Sequence, residues 1–214
     1  AYEIRMVTGV QTCALPILLR GELEAIEDGV RTLNPGSMKS LQGEVSMLSK
    51  LVNDLYELSL ADVGALTYRK SACAVDQLLQ ASVSMFQERL NDRHLRVELD
   101  LPFQPMELLA DANRLQQLFS NLLENTVRYT DPNGLIRIRA VVDRTHVCID
   151  FIDSGPGVSA EQLPRLFERF YRGESSRNRA SGGAGLGLAI CHNIALAHGG
   201  SLSAAHSPDR KSVV

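Results

Sequence analysis

The apolar positions in the first third of the chain recur with a helical period. Over residues 18–33 they stand three or four positions apart, which marks one apolar stripe on a helix. A second stripe with near-heptad spacing runs from about Met38 to Leu60, and Asn34-Pro35-Gly36 separates the two. Residues 18–62 are therefore predicted to form a helical hairpin. Its core is too small to stand alone, so we expect it to supply half of a dimeric four-helix bundle.

After Ala61–Ala65 the pattern becomes mixed, with alternating apolar segments between helical ones. This order predicts an α+β fold over residues 66–208, with one largely antiparallel sheet and helices on one of its faces. The predicted strands are 66–70, 94–101, 107–110, 134–142, 146–153 and 201–205. The predicted helices are 75–91, 111–129, a short one from Ser159, and 186–198.

Composition and residue spacing argue against a nucleic acid partner, a membrane-spanning helix, and a zinc site or disulfide framework. The 214 residues include 22 Lys and Arg against 25 Asp and Glu, and the resulting formal net charge of −3 gives no reason to expect a nucleic acid partner. No apolar run is long enough for a membrane-spanning helix. The four cysteines are scattered without zinc-site or disulfide-framework spacing.

The helix predicted for residues 111–129 places three polar side chains on one side, away from its apolar stripe. They are Asn121, Asn125 and Arg128. Asparagine is a mediocre helix former, so two of them one turn apart suggest a function. An amide oxygen suits Mg²⁺, and an arginine suits a phosphate oxygen. A solvated polar face is the alternative.

A strand end followed by glycines forms the second candidate feature. The strand 146–153 ends at Asp153, and Gly155 and Gly157 follow. A carboxylate placed there can accept a hydrogen bond from an exocyclic amine, while the glycines let a flat ring approach the backbone. The alternative is an ordinary loop between a strand and a helix.

The third feature is a polar segment that leads into a glycine-rich one. Residues 172–181, with Arg177 and Arg179, have no apolar period and are expected to form a mobile lid over a ligand. Gly183, Gly185 and Gly187 then open an apolar helix, where backbone N–H groups can receive phosphate. The segment lacks the GK[ST] ending of a P-loop, and a flexible linker is the alternative.

In order and spacing, NLLENTVRYT, DSGPG, LFERFYR and GGAGLGLAI resemble the N, G1, F and G2 boxes of two-component sensor histidine kinases. The resemblance implies a Bergerat-type ATP-binding α/β sandwich that takes ATP and Mg²⁺. Asn125 would hold Mg²⁺ with Asn121 beside it, and Asp153 would meet the adenine amine. The remaining implied cofactor contacts are Arg128, Tyr129, Gly155, Gly157, Arg177, Arg179, Gly183, Gly185, Leu186 and Gly187.

The resemblance also implies an activity and partners. Such a kinase transfers the γ-phosphate of ATP to its own histidine and then to an aspartate of a response regulator. It would act as a homodimer through the helical hairpin, in the cytoplasmic portion of a bacterial inner-membrane sensor. In that family the acceptor histidine stands in an HExxTP motif just before the segment LRGELEA. Here TCALPIL occupies that place, so the acceptor is absent and autophosphorylation is not expected.

The two ends of the chain fit nothing around them. VTGVQTCALPI and DRKSVV match translations of common sequencing-library adapters, so we expect residues 1–17 and 209–214 to be adapter-derived. The closing strand of the family's sheet would then be missing, which would leave an unpaired edge and a marginally stable product.

Two other functions compete with the kinase interpretation. One is a non-catalytic module for ATP binding or dimerisation. The other is a different Bergerat-fold ATPase, such as a gyrase-like or chaperone enzyme. Those tend to carry a glutamate base where Asn121 stands, and they lack a preceding hairpin.

Overall fold

The structure of the protein is a computed structural model that describes residues 20, 21, 23–30, 32, 34–143, 146–173, 183–206 and 212–213. The chain divides into two compact units, Ala1–Ala65 and Leu66–Val214. The boundary between the two units lies between Ala65 and Leu66. The segments 1–17 and 209–211, where adapter-derived residues are expected, lie outside the described residues, as does residue 214.

In the first unit, residues 23–27 are helical and a long helix, α1 (Pro35–Asp62), follows. Asn34 caps α1: its side chain accepts from the Ser37 N–H at 2.9 Å, and the Ser37 hydroxyl accepts from the Asn34 N–H at 2.9 Å. Pro35 suits the first helical position because its missing N–H would have no helical partner there. The predicted start near Met38 was therefore wrong, since Asn34-Pro35-Gly36 begins this helix instead of preceding it.

Two apolar rows run along α1. Leu41, Leu51 and Leu58 are buried. Val45 and Val52 are exposed at 48% and 57%. No helix among the described residues is long and apolar enough to cross a membrane.

The second unit alternates short strands with helices. In chain order its elements are β1 (Ser71–Ala74), α2 (Val75–Met85), α3 (Gln87–Asp92), β2 (Arg96–Asp100), β3 (Glu107–Ala110), α4 (Ala112–Tyr129), β4 (Leu135–Asp143), β5 (His146–Asp153), a 3₁₀ turn (Leu163–Arg165), α5 (Gly187–Ala197) and β6 (Ser212–Val213).

Within the described residues these strands form two sheets, where one had been predicted. β1 pairs antiparallel with β3, and the larger sheet has the order β2-β4-β5-β6. In the larger sheet β2 runs parallel to β4 with Arg96 opposite Leu135, and β5 runs antiparallel to β4 with Ile136 opposite Asp153. The larger sheet is therefore mixed, although three of the four strand pairings in the two sheets together are antiparallel, as the sequence predicted.

Helix α4 lies at the centre of this unit and packs against α2, α5 and β5. The rings of Phe119 on α4 and Phe151 on β5 have centroids 6.2 Å apart. On β4, Ile136 and Ile138 are fully buried, because alternate side chains of a strand point to the same face of its sheet. The central position of α4 is what brings its polar side to the ends of the other elements.

Several predicted elements differ in the structure. The helix predicted for 75–91 is interrupted at Phe86, whose backbone (φ −95°, ψ 0°) leaves the helical region while its ring stays buried. The strand predicted for 66–70 forms instead at Ser71–Ala74. The helix predicted from Ser159 is only the 3₁₀ turn, in which Pro164 has no N–H to donate.

The end of the described chain also differs from the prediction. Residues 201–204 are irregular, so the strand predicted for 201–205 was wrong. Instead β6 pairs with the end of β5, with Val213 opposite Ile152 and Ser212 opposite Asp153. The edge of β5 that we expected to be unpaired is therefore covered at these two positions.

Candidate functional site

The polar side of α4 has the composition that the sequence indicated. Asn121 is buried at 8% exposure, and Asn125, one turn later, is partly buried. The helix begins at Asp111, whose carboxylate accepts from the backbone N–H groups of Asn113 and Arg114 at 3.1 and 3.2 Å. This N-cap fixes the residue at which α4 starts.

The Asp111 carboxyl is itself perturbed. Burial would raise its pKa, but the backbone N–H donors of Arg69, Arg114 and Asn113 and the charge of Arg114 together lower the pKa below its ordinary value. The ionised form is thus the one that the fold stabilises. This capping carboxylate was not singled out in the sequence as part of the site.

At the other end of α4, the guanidinium of Arg93 donates to the carbonyls of Val127, Arg128 and Thr130, the last two at 3.0 and 2.9 Å. A cation placed on the last carbonyls of a helix also complements its dipole. Sequence reasoning missed Arg93, because it stands in the turn between α3 and β2, more than 30 positions before its partners. No local spacing signals such a contact.

An ion-pair chain holds the Arg128 side chain. Its Nη2 lies 3.2 Å from Oε1 of Glu124, and the Glu124 carboxylate accepts two hydrogen bonds at 3.0 Å from Arg89 on α3. The i,i+4 spacing of Glu124 and Arg128 was visible in the sequence and signals such a pair. The structure adds that Arg89 shares the same carboxylate.

The end of β5 meets the end of α4. Asp153 is buried at 7% exposure, and its Oδ1 accepts from the Gly155 N–H at 2.8 Å. A Cβ built on Gly155 would lie 2.5 Å from the Tyr129 carbonyl oxygen. Glycine is therefore required at this position for close backbone approach, and it brings Asp153 and Tyr129 into one place.

The glycine-rich segment lies against the polar side of α4. A Cβ on Gly183 would come within 2.1 Å of Nη1 of Arg128, and a Cβ on Gly187 would lie 3.6 Å from Cγ of Asn121. Gly185 has φ +71°, and its carbonyl accepts from the Phe170 N–H at 2.8 Å. Residues from three separate motifs thus surround one side of a single helix.

Not every predicted contact is placed in this way. Gly157 has φ +66° and turns the chain after Asp153. Leu186 is buried at 1% exposure, so its side chain belongs to the core and only its backbone can meet a ligand. Arg177 and Arg179 lie outside the described residues.

These side chains have the chemistry that a nucleotide with Mg²⁺ would need. The amides of Asn121 and Asn125 could supply neutral oxygen ligands of the kind that Mg²⁺ accepts beside phosphate and water. Arg128 supplies a cation for phosphate, and the start of α5 supplies backbone N–H groups beside Gly187. The buried Asp153 carboxylate could accept a hydrogen bond from an exocyclic amine.

Comparison with known proteins relates this chain to a family of ATPases. Residues 110–214 match the family described as histidine kinase-, DNA gyrase B-, and HSP90-like ATPase. The chain is 53% identical over 191 residues to the signal transduction histidine-protein kinase BaeS of Escherichia coli (strain K12), a match that covers 89% of this chain and 41% of BaeS. The chain spans less than half the length of the curated relatives it matches.

Solved structures show the same fold. The Acinetobacter baumannii histidine kinase AdeS superposes with a TM-score of 0.78 at 28% identity, covering 95% of this chain and 93% of AdeS. Full-length ShkA in complex with AMPPNP superposes with a TM-score of 0.67 at 22% identity, covering 97% of this chain and 44% of ShkA. The likeness to ShkA concerns the fold alone.

Proposed function

This chain carries the ATPase domain of the sensor histidine kinase family, and on that premise we propose that its second unit binds ATP with Mg²⁺ for phosphotransfer to histidine. The observation that carries the proposal is the convergence of three motifs on α4. Gly183 meets Arg128, Gly187 meets Asn121, and Gly155 meets both Tyr129 and Asp153.

Each residue has a role that its surroundings support. Asn125, with Asn121 beside it, would hold Mg²⁺, which neutralises charge on the phosphates when bound. Asp153 would accept from the adenine amine, because its carboxylate is buried and oriented by the Gly155 N–H. The remaining contacts would be Tyr129 to the nucleoside, Gly157 at the ring, and Arg128, Arg177, Arg179, Gly183, Gly185, Gly187 and the Leu186 backbone to the phosphates.

The whole protein would be a sensor that passes the phosphoryl group from its histidine to an aspartate of a response regulator. None of the five histidines of this chain stands in an HExxTP motif, so the chain supplies the nucleotide site and not the acceptor. We propose that it belongs to the cytoplasmic portion of a bacterial inner-membrane sensor, as the resemblance of its motifs to those of two-component sensor histidine kinases implies.

We propose that the chain forms a homodimer through α1. The exposed row that includes Val45 and Val52 is the apolar surface that a second copy would cover. Equilibrium sedimentation tests this: Val52→Glu should weaken self-association. An unchanged dimer would contradict the proposed surface.

Nucleotide binding is tested by titrating the 214-residue chain with a fluorescent ATP analogue in the presence of Mg²⁺. We expect saturable binding that unlabelled ATP reverses, and Asn125→Ala should weaken it by about tenfold or more, the range seen when metal-site groups are removed. Asn113→Ala is the matched control, because it makes the same change at an exposed position of the same helix.

Two results would refute the proposal. One is the absence of saturable binding by a chain that circular dichroism shows to be folded. The other is equal loss of affinity in the Asn113→Ala and Asn125→Ala variants, since this would trace the effect to α4 stability and not to a ligand.

A further inference from the structure

Helices α4 and α5 run antiparallel and touch at three levels along their length. At one end the Asp111 N–H donates to Nε2 of His198 at 2.9 Å. In the middle Cys191 Sγ lies 3.6 Å from the Leu118 carbonyl oxygen. At the other end Gly187 lies beside Asn121. The candidate phosphate and Mg²⁺ contacts are thus at one end of this helix pair, and His198 is at the opposite end.

The hydrogen bonds determine the state of the His198 ring. A backbone N–H can only donate, so Nε2 of His198 must accept and carries no proton. Nδ1 then carries the hydrogen and donates to the Ile194 carbonyl oxygen at 2.8 Å. Tyr68 packs edge-on against the ring, with centroids 5.5 Å apart. The imidazole is therefore neutral and held on three sides.

Neighbouring residues reinforce the same end of the helix pair. The Asp111 carboxylate that caps α4 also accepts from the Arg69 N–H at 2.8 Å. Nζ of Lys70 donates to the Ala197 carbonyl oxygen at the end of α5, at 2.7 Å. Residues 68–70 thus contact both helices, while two hydrogen bonds join α5 to α4 directly: Asp111 N–H donates to His198 at this end, and the Cys191 thiol donates to the Leu118 carbonyl oxygen in the middle.

The spacing of residues along the two helices explains how the hydrogen bond between Asp111 and His198 affects the distance between Gly187 and Asn121. Asn121 stands ten positions after Asp111 and His198 eleven positions after Gly187, so the two segments have nearly equal lengths of about 15 and 16.5 Å at 1.5 Å per residue. A slide of α5 by one residue would move Gly187 about 1.5 Å relative to Asn121. The ideal Cβ of Gly187 lies only 3.6 Å from Cγ of Asn121, so such a slide would reshape the gap between them.

We propose that His198 is a positioning residue of the nucleotide site: as the neutral Nδ1–H tautomer it fixes the axial register of α5 on α4, and so the distance between the glycine segment and the Asn121–Asn125 pair. This proposal rests on the proposed function. Its effect is confined to the phosphate and Mg²⁺ part of the site. The adenine part is built from Asp153, Gly155 and Tyr129, none of which belongs to α5.

The experiment compares His198→Phe with His198→Gln in the full chain. Phenylalanine keeps the ring but cannot accept from the Asp111 N–H, whereas the glutamine amide oxygen can. We expect His198→Phe to weaken Mg²⁺·ATP binding by about tenfold, as for the loss of one buried hydrogen bond. Adenosine binding, followed by NMR, should change by less than about twofold, and His198→Gln should recover most of the loss.

Two further variants keep the result interpretable. His206→Phe makes the same change at an exposed histidine and should leave both affinities unaltered. Lys70→Met removes the other contact to the end of α5 from an exposed position, and should weaken Mg²⁺·ATP binding more than adenosine binding. If His198→Phe fails to fold, the Mg²⁺·ATP and adenosine affinities of Lys70→Met provide the test.

The outcomes separate the two proposals. If the unaltered chain binds no ATP, the proposed function itself fails. If it binds ATP but His198→Phe and Lys70→Met bind Mg²⁺·ATP normally, the positioning role is overturned. It is also overturned if these variants lose Mg²⁺·ATP and adenosine equally, or if a folded His198→Gln chain binds Mg²⁺·ATP no better than His198→Phe.

Discussion

Replacing Gly183 by alanine is expected to remove the phosphate contact of Arg128 without harming the fold. An ideal Cβ on Gly183 would lie 2.1 Å from Nη1 of Arg128 and 3.2 Å from its Cζ. Ordinary contacts begin near 3.4 Å, so Nη1 must withdraw by about 1.3 Å, the difference between 3.4 and 2.1 Å. The added methyl group therefore occupies the position of the guanidinium.

The expected changes in stability and in ATP affinity depend on the group that the alanine methyl displaces, which is the Arg128 guanidinium. The obstructed group is the far end of a flexible side chain, so it can retreat toward Glu124, which it already contacts at 3.2 Å. Global stability should change by less than about 1 kcal/mol, because a flexible side chain and not backbone must give way and alanine also restricts the unfolded chain. Loss of a charge-assisted phosphate hydrogen bond removes about 1.5–3 kcal/mol, or about 10- to 100-fold in ATP affinity.

The assay is titration with the fluorescent ATP analogue, combined with thermal unfolding of the same variants. Gly43→Ala is the control for a glycine replacement, because a Cβ there meets nothing within 4 Å. In an Arg128→Ala background, Gly183→Ala should have no further effect on affinity, since the two changes remove the same contact. Unchanged affinity of Gly183→Ala, or full additivity with Arg128→Ala, would refute the reasoning.

Three further changes test the supports of α4. Gly155→Ala should lower the free energy of unfolding by about 1–3 kcal/mol, because its methyl group would lie 2.5 Å from the Tyr129 carbonyl oxygen; an unchanged melting temperature would contradict this. Arg93→Met should cost about 2–3 kcal/mol through loss of hydrogen bonds to the last carbonyls of α4, measurable by urea unfolding. Because the folded-state pKa of Asp111 is lowered, its stabilising contribution is present above its unfolded pKa of about 3.9 and is lost as pH falls through the folded pKa. The melting temperature of Asp111→Asn should therefore depend less on pH below about pH 4 than that of the unaltered chain, and parallel pH profiles would contradict this.

Long periodic segments were the most predictable part of the fold. Helix α4 and strands β4 and β5 lie within one residue of their predicted bounds, because burial of one face imposes its period on the sequence. Short elements were less predictable. The strand at Ser71–Ala74 is only four residues long, and within the segment predicted as the strand 201–205 only Ala205 pairs. An element of so few positions shows little periodicity in the sequence.

The residues of the candidate site also differ in how far the sequence could predict them. Asn121, Asn125, Arg128 and Asp153 could be named from the sequence, because polar residues at regular positions of a helix or at a strand end are locally recognisable. Arg93 and His198 could not, since each acts on a residue more than 30 positions away, and neither stands in a pattern of its own.

The sequence by itself determined the long periodic elements and which residue types carry the chemistry, because helix and strand periods, glycines and caps are local properties of the chain. Only the tertiary structure decided which groups meet: Gly183 with Arg128, Gly187 with Asn121, and Gly155 with Tyr129. It also decided the axial register of α5 on α4. The physical reason is that these contacts join residues distant in the chain, and their geometry follows from how the helices pack on one another and on β5.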